Sequence, residues 1–329
     1  MATDELVFLT GATGFVGAHV CDALLARGYQ VRALVRHDSP ALDAREGCTT
    51  VRGDVRGSGE LVPALRGCRY VVHTAAMYSF APRDRRLMHE VNVGGTRGLL
   101  EAARIAGVER AVVTSSSAAV GPAHGARLAT ERDWAQPDHA TSAYHQSKVL
   151  QERAALAARI PVVTVLPTAP LGPGDHKPTP TGRMVLDVMH GRIWATLGGG
   201  MNAVDVRDVA QAHVLALQRG RARERYLVGG VNLSLAELWQ LIASAAGRPA
   251  PRLRIPYALA AGIGIADEVR CRVTSADPVV PLEGVRMGRL RMHVSSDKAA
   301  AELGHQASPL VPAIQRAVSW YREYASAAA

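Results

Sequence analysis

The 329-residue sequence predicts an α/β fold, a doubly wound parallel sheet followed by a smaller, mostly helical region. Three observations predict it. Short apolar runs at Leu6–Leu9, Gln30–Arg36, Val51–Val55, Tyr70–Ala76, Arg110–Ser116 and Ile160–Leu166 alternate with helical stretches near 60–66, 85–106 and 141–158. The first run leads into three glycines at three-residue spacing and then a helix. The later half carries no repeat and no low-complexity linker, so it packs on the carboxyl ends of the strands rather than hanging from them.

The glycine turn comes first in the chain. Leu6–Leu9 has the character of a strand buried on both faces. Thr10 leaves it, Gly11, Gly14 and Gly17 follow, and Ala18–Arg27 reads as a helix closed by Gly28. Glycines let a backbone approach a pyrophosphate, and the helix N-terminus offers N–H donors and a positive dipole. The spacing is GxxGxxG, and the strand–turn–helix context gives it meaning. The second strand ends at Val35 and Arg36, with Arg32 earlier on it. An acid there would favour a ribose 2′-hydroxyl; arginine suits a 2′-phosphate through bidentate, charge-assisted bonds. The expected cofactor is therefore NADP(H), with NAD(H) the alternative. The third strand is placed so that it ends at Asp54.

Beyond Leu166 the character changes. Pro167–Gly182 is proline-rich and reads as a loop. Met184–Arg192 reads as a helix, Ala203–Leu217 as a strand running into a helix, and Arg225–Gly229 as a strand. Ser234 and Glu237 fit a capping box opening a helix to about Ala246. Residues 250–300 are patchy, and 308–325 is a terminal helix. The expected division is a nucleotide-binding domain over 1–170, with 203–229 returning to it, and a substrate-binding region over 171–202 and 230–329.

Composition sets limits. Hydrophobic residues make up 48% and charged residues 20%, as in a soluble globular protein. The most apolar run, Ala258–Ala266, is too short to span a membrane. Met-Ala-Thr-Asp-Glu at the start lacks the basic and apolar parts of a signal peptide. Cys21, Cys48, Cys68 and Cys271 are scattered, which implies a reduced, cytoplasmic setting without disulfides or a metal site. The net charge of +9 comes almost wholly from arginine. The arginines form no long basic run and aromatics are 5%, which argues against a nucleic-acid partner. An anionic cofactor, or a membrane surface bearing an apolar substrate, fits better.

The candidate chemistry lies in Tyr144-His-Gln-Ser-Lys148. Residues four apart share a helix face, so the phenol and the ammonium can meet one ligand. A cation near a phenol lowers its pKa and prepares it for general acid–base work near neutral pH. Thr114-Ser-Ser-Ser117 ends the fifth strand, where a hydroxyl can bond the substrate oxygen opposite Tyr144.

Thr10-Gly-Ala-Thr-Gly-Phe-Val-Gly17, Asp54, Thr74-Ala-Ala76, Asn92, Ser115-Ser-Ser117 and Tyr144-x-x-x-Lys148 together resemble the extended short-chain dehydrogenase/reductases over nearly the whole chain. The resemblance implies a Rossmann fold, bound NAD or NADP and a Ser–Tyr–Lys site. Tyr144 would transfer the proton; Lys148 would lower its pKa and hold the nicotinamide ribose. A serine would polarise the substrate oxygen. Alignment with the dihydroflavonol-reductase-like members selects Ser116, and alignment with nucleotide-sugar epimerases, anchored on Val120, selects Ser117. The cofactor would lie against Gly11, Thr13, Gly14, Phe15, Val16, Gly17, Arg36, Asp54, Val55, Thr74, Ala75, Ala76, Thr114, Tyr144, Lys148, Pro167 and Thr168. The substrate would meet Tyr78, Phe80, Lys177, Arg183 and Met184, with Leu171, Met201 and 258–290 nearby. A homodimer through helices near 90–105 and 143–158 is also implied.

Two subgroups compete. Val31–Arg36 resembles the dihydroflavonol-reductase-like branch. Leu166–Asp175, Lys177–Arg183, Glu224–Gly230, Gly284–Met287 and Ser295–Ser296 resemble proteins called hopanoid-associated sugar epimerases. Leu166, Asp205 and Met77 depart from the epimerase-like pattern, which commonly has asparagine, histidine and an acid there. The reading is an NADP(H)-dependent oxidoreductase acting on a secondary alcohol or ketone; the alternative is an NAD-dependent sugar epimerase or dehydratase.

Overall fold

The computed structural model describes residues 5–79, 82–123, 127–140, 142–251, 253–274 and 282–327. In chain order the first half holds β1 (Leu6–Thr10), α1 (Phe15–Leu25), β2 (Gln30–Val35), α2 (Pro40–Asp43), β3 (Cys48–Arg52), α3 (Ser58–Leu65), β4 (Tyr70–His73), α4 (Arg85–His89), α5 (Gly95–Ile105), β5 (Arg110–Thr114), α6 (Ala143–Leu156) and β6 (Val162–Pro167). Then come β7 (Ala169–Leu171), α7 (Pro180–Met189), β8 (Ala195–Thr196), β9 (Gly200–Asp205), α8 (Val206–Arg219), β10 (Arg225–Val228), β11 (Val231–Ser234) and α9 (Leu235–Ala246). The last are β12 (Leu253–Arg254), α10 (Tyr257–Thr274), α11 (Leu282–Met287), β13 (Arg291–Met292), α12 (Asp297–Leu303) and α13 (Leu310–Ala327).

Seven strands form one parallel sheet in the order β10-β6-β5-β4-β1-β2-β3. The direction of winding reverses between β1 and β4, which opens a crevice at their carboxyl ends. Alternate residues of each strand feed two cores. Val7 and Leu9 of β1, Val72 of β4 and Val112 of β5 pack with α1 and α8. Phe8, Val71, Ala111 and Val113 pack with α3, α5 and α6. Burial on both faces explains why these strands read as apolar runs. A second sheet, β11-β9-β13 with β7 also on β9, backs a third core with α7, α9 and α13. The segment 203–229 divides between them: β9 belongs to the second sheet and β10 to the first.

Gly28 closes α1 at a positive φ of 83°, and the Ser234–Glu237 capping box opens α9, both as expected. Elsewhere boundaries moved. The third strand ends at Arg52, because Gly53 and a turn closed by Gly57 N–H on Asp54 O intervene. The 85–106 helix is interrupted by a π turn at Glu90–Gly94, around the buried Asn92. The helix expected from 184 starts at Pro180, capped by Thr179 accepting from Gly182 N–H. The segment read as a loop holds β7, and the patchy 250–300 stretch holds the long α10.

The glycine turn is set by contact. Gly11 has φ 79°, and a Cβ there would stand 2.6 Å from the Ala75 nitrogen. A Cβ on Gly17 would stand 2.0 Å from the Gly11 oxygen. Gly17→Ala is expected to cost about 1–3 kcal/mol by overpacking, read as a lowered urea midpoint, while Ala substitution at the open Gly59 leaves the midpoint nearly unchanged.

Candidate active site

The crevice starts at the end of β1. Thr13 and Gly14 are exposed, Phe15 is buried, and Val16 is half-buried. No side chain caps α1 at Gly14, and its first turn carries no acid. Its leading N–H groups therefore face outward beside a Cβ-free turn, which fits a pyrophosphate. His19 Nε2 meets Pro173 O at 2.9 Å, which draws the 172–176 loop alongside α1. Thr74 hydroxyl donates to Thr10 O at 2.7 Å, and Ala75 N–H to Thr10 Oγ1 at 3.3 Å. Ala76 is exposed.

At the end of β2, Arg36 is exposed beside Asp54. Arg56 grips Asp54 through Nε at 3.0 Å and Nη2 at 2.9 Å, and these bonds hold its carboxyl below the usual range. Val55 is buried against Gly95, where a Cβ would stand 2.9 Å from Val55 Cγ2. Arg32 turns away, donating to Ala64 O and Arg66 O at 2.9 Å each. Of Arg32 on β2 and Arg36 just past it, Arg36 is the one beside Asp54.

Where β5 ends, Ser116 neighbours Tyr144, and Lys148 bonds Thr114 O. Ser142 caps α6 by accepting from His145 N–H at 3.0 Å, which sets Tyr144 in the first turn and Lys148 one turn on. Ser116 stands close enough to the Tyr144 phenol to act on its pKa, and Ser116 Oγ accepts from Ala118 N–H at 3.1 Å. Ser117 instead starts a short 3₁₀ turn, with its carbonyl accepting from Val120 N–H at 3.0 Å. The Tyr78 ring stands edge-on to Tyr144, centroids 4.5 Å apart. Burial pushes the Tyr144 phenol pKa up, and the neighbouring Ser116 hydroxyl pulls it partly back. The Lys148 ammonium is engaged by oxygens of the protein. Lys148 Nζ donates to Thr114 O at 2.9 Å and to Gln151 Oε1. Lys148 is 2% exposed, and burial pushes its pKa down to about 7 against the opposing pull of Glu152.

A buried polar string supports the lysine. Gln151 Nε2 donates to Thr96 Oγ1 at 3.0 Å, and Thr96 O–H donates to Asn92 O at 2.6 Å. His73 Nε2 lies 2.9 Å from Thr96 Oγ1, and His73 Nδ1 lies 2.6 Å from Thr10 Oγ1. With the Thr96 hydrogen committed to Asn92 O, His73 carries its proton on Nε2 and accepts from Thr10 at Nδ1. Burial, then Lys148, pushes the His73 pKa down to about 3, so the ring is neutral. Asn92 Oδ1 accepts from Met77 N–H at 2.7 Å, and its Nδ2 donates to Met77 O at 2.9 Å and Ser147 Oγ at 3.0 Å. Thr114 O–H donates to His213 Nε2 at 2.7 Å, while Nδ1–H of that ring donates to Val209 O at 2.8 Å. Ser115 Oγ is buried without a partner.

Farther along α6, Glu152 pairs with Arg225 at 3.0 and 2.9 Å, both nearly inaccessible. Thr164 donates to Glu152 at 2.9 Å, and Trp134 covers the guanidinium at 3.5 Å. His73, Thr96, Gln151, Glu152 and Arg225 carry the site yet were not singled out in the sequence. A histidine inside the apolar Tyr70–Ala76 run was the available signal.

The expected substrate residues scatter. Tyr78 faces Tyr144, Lys177 is exposed, and Arg183 is exposed on α7. Met184 packs partly against the third core, to which Leu171 and Met201 belong. Phe80 lies outside the described residues. Pro167 is buried at the end of β6, and Thr168 O–H donates to Asn202 Oδ1 at 2.9 Å. Of the three departures, Leu166 is core and Asp205 caps α8 while pairing with Arg316. Met77 sits at the site, held by Asn92. Among the described residues no three His, Cys, Asp or Glu gather as a metal site.

A glycine-cradled helix N-terminus, a doubly wound sheet and a Ser–Tyr–Lys cluster at its carboxyl edge define an NAD(P)-dependent oxidoreductase of the extended short-chain dehydrogenase/reductase type. The chain belongs to the NAD dependent epimerase/dehydratase family, whose model matches residues 7–229. It is 37% identical to a putative dihydroflavonol 4-reductase of Synechocystis, covering 98% of this chain and 96% of that one. It is 35% identical to sterol demethylase protein B of Methylococcus capsulatus, covering 96% and 98%. A dTDP-glucose 4,6-dehydratase from Streptomyces venezuelae, solved with NAD bound, superposes with a TM-score of 0.77 at 25% identity, over 98% of each chain.

Removing one partner of the Glu152–Arg225 pair strands a buried charge. Arg225→Met is expected to cost about 3–5 kcal/mol, measured by urea unfolding, and to loosen α6 enough to weaken cofactor binding.

Proposed function

We propose that the chain is an NADP(H)-preferring reductase of a ketone, or dehydrogenase of a secondary alcohol, with Ser116, Tyr144 and Lys148 as its catalytic residues. The observation that carries this is the placement of Ser116 beside the Tyr144 phenol at the sheet edge, with the buried Lys148 ammonium one helical turn on and bonded to Thr114 O. A bound nicotinamide supplies or takes the hydride. Ser116 bonds the substrate oxygen and holds it at Tyr144. Tyr144 then donates its proton to the developing alkoxide. The raised phenol pKa keeps that proton on Tyr144 until substrate arrives. Lys148 is placed to hold the ribose, and its charge supports the proton transfer. Gln151, Thr96 and Asn92 position Lys148 and the Tyr144 turn. The exposed Arg36 is the group that would read a 2′-phosphate. A homodimer through α5 and α6 is part of this reading. A groove of about 460 Å³ lined by Arg97, Leu100, Leu150 and Ala154 lies along them.

The second reading is an epimerase or dehydratase that keeps NAD through two hydride transfers. The NAD-bound dehydratase neighbour and the segments shared with sugar epimerases favour it. Denaturing fresh protein and weighing the released nucleotide separates the two. The reductase releases no stoichiometric NAD; an epimerase releases one per chain.

Tyr144→Phe is expected to lower kcat at least about a hundredfold with cofactor affinity kept, and Ser116→Ala to lower it more than Ser117→Ala; steady-state kinetics and fluorescence titration read both. Arg36→Ala is expected to weaken NADPH about tenfold and NADH little; equal losses would remove the case for phosphate recognition.

A further inference from the structure

Helix α10 is turned inside out. An ordinary surface helix buries its apolar face and shows its charges. Here Ala260 is buried, Gly264 packs on Leu282, and Asp267 and Glu268 are half-buried. The outward positions carry Leu259, Ile263, Ile265, Val269 and Val273, exposed by 55%, 38%, 54%, 55% and 79%. They recur at helical spacing with the exposed Gly262 and Ala266 between them, so the stripe runs the length of the helix.

The apolar surface continues past the helix. β12, just before α10, pairs with β8 and exposes Leu253, and Trp194 stands exposed next to β8. The Arg289 guanidinium lies over the Tyr257 ring at 4.8 Å, which brings the exposed Leu290 to the start of α10. Exposed arginines accompany this face, Arg254, Arg286, Arg289 and Arg291, while Arg270 lies on the stripe itself and pairs with Asp267 at 2.7 Å. Between residues 248 and 291 the sequence holds eight arginines, no lysine and four acids.

We propose that this face docks on an anionic lipid bilayer, with α10 lying in the interfacial plane. The stripe would enter the boundary between headgroups and acyl chains, Trp194 would sit at headgroup level, and the arginines would meet lipid phosphates. Charge complementarity selects this occupant. Two-fold packing of a second copy would set one group of arginines against another, whereas an anionic surface neutralises it. No helix among the described residues is long and apolar enough to cross a membrane, so the contact is peripheral. The proposal is independent of the reaction direction and cofactor assigned above.

The test is flotation of the full chain with vesicles of phosphatidylcholine alone, or of phosphatidylcholine mixed with phosphatidylglycerol. The wild type is expected to float with the mixed vesicles and to detach as salt is raised. Ile263→Asp combined with Val269→Asp should weaken that binding at least about tenfold. Arg254→Gln and Arg291→Gln should each weaken it about fivefold. Both side chains in the double variant are exposed, so its melting temperature and cofactor affinity should match the wild type. Absence of flotation, equal binding to both vesicle types, or unchanged binding in the double variant would each overturn the proposal. So would light scattering showing that the double variant splits an oligomer while vesicle binding is kept, which would make this face a contact between copies.

Discussion

Burial of the Lys148 ammonium is the constraint around which the site is built. A charge that is 2% exposed needs acceptors on every side it presents to the protein. Thr114 O at the end of β5 and Gln151 on the next helical turn provide them. Both acceptors then need fixing, and each fix recruits another element. His213 holds Thr114 from α8, Thr96 holds Gln151 from α5, and His73 joins Thr96 to the glycine turn. Lys148 thus ties α5, α6, α8 and three strands to one geometry.

Much of this was readable in the sequence. The glycine spacing, the apolar strand runs and the Tyr144/Lys148 interval follow from local rules about turns, burial and helix faces, and they gave the sheet and pointed to a candidate site at its edge. Residues whose role depends on distant partners stayed hidden. Glu152 and Arg225 lie 73 positions apart, and each alone reads as a surface charge. His73 and Thr96 become a pair only when β4 and α5 pack. The competing serines could not be separated by alignment, because both lie in one run. Backbone geometry beyond the strand separates them, sending Ser116 toward Tyr144 and Ser117 into a turn.

Helix ends were blurred for a physical reason too. The π turn at Glu90–Gly94 absorbs an extra residue so that Asn92 can reach the backbone of Met77 and the hydroxyl of Ser147. Propensity sees one continuous helix; the side chain's long-range bonds force the irregularity. The same holds for α10, whose apolar surface faces out and so lacks the pattern that marks a surface helix.

The buried string from Lys148 to Thr10 has one further consequence. Gln151 and His73 both donate to Thr96 Oγ1, and the Thr96 hydrogen leaves sideways to Asn92 O. The donors converge on one oxygen instead of passing hydrogens in a single direction. The string is therefore an insulator and not a proton wire. It holds the lysine in place but cannot carry a proton to it from the far side of the sheet. In the chemistry proposed above, the proton that would return to Tyr144 comes from the crevice side, not along this string.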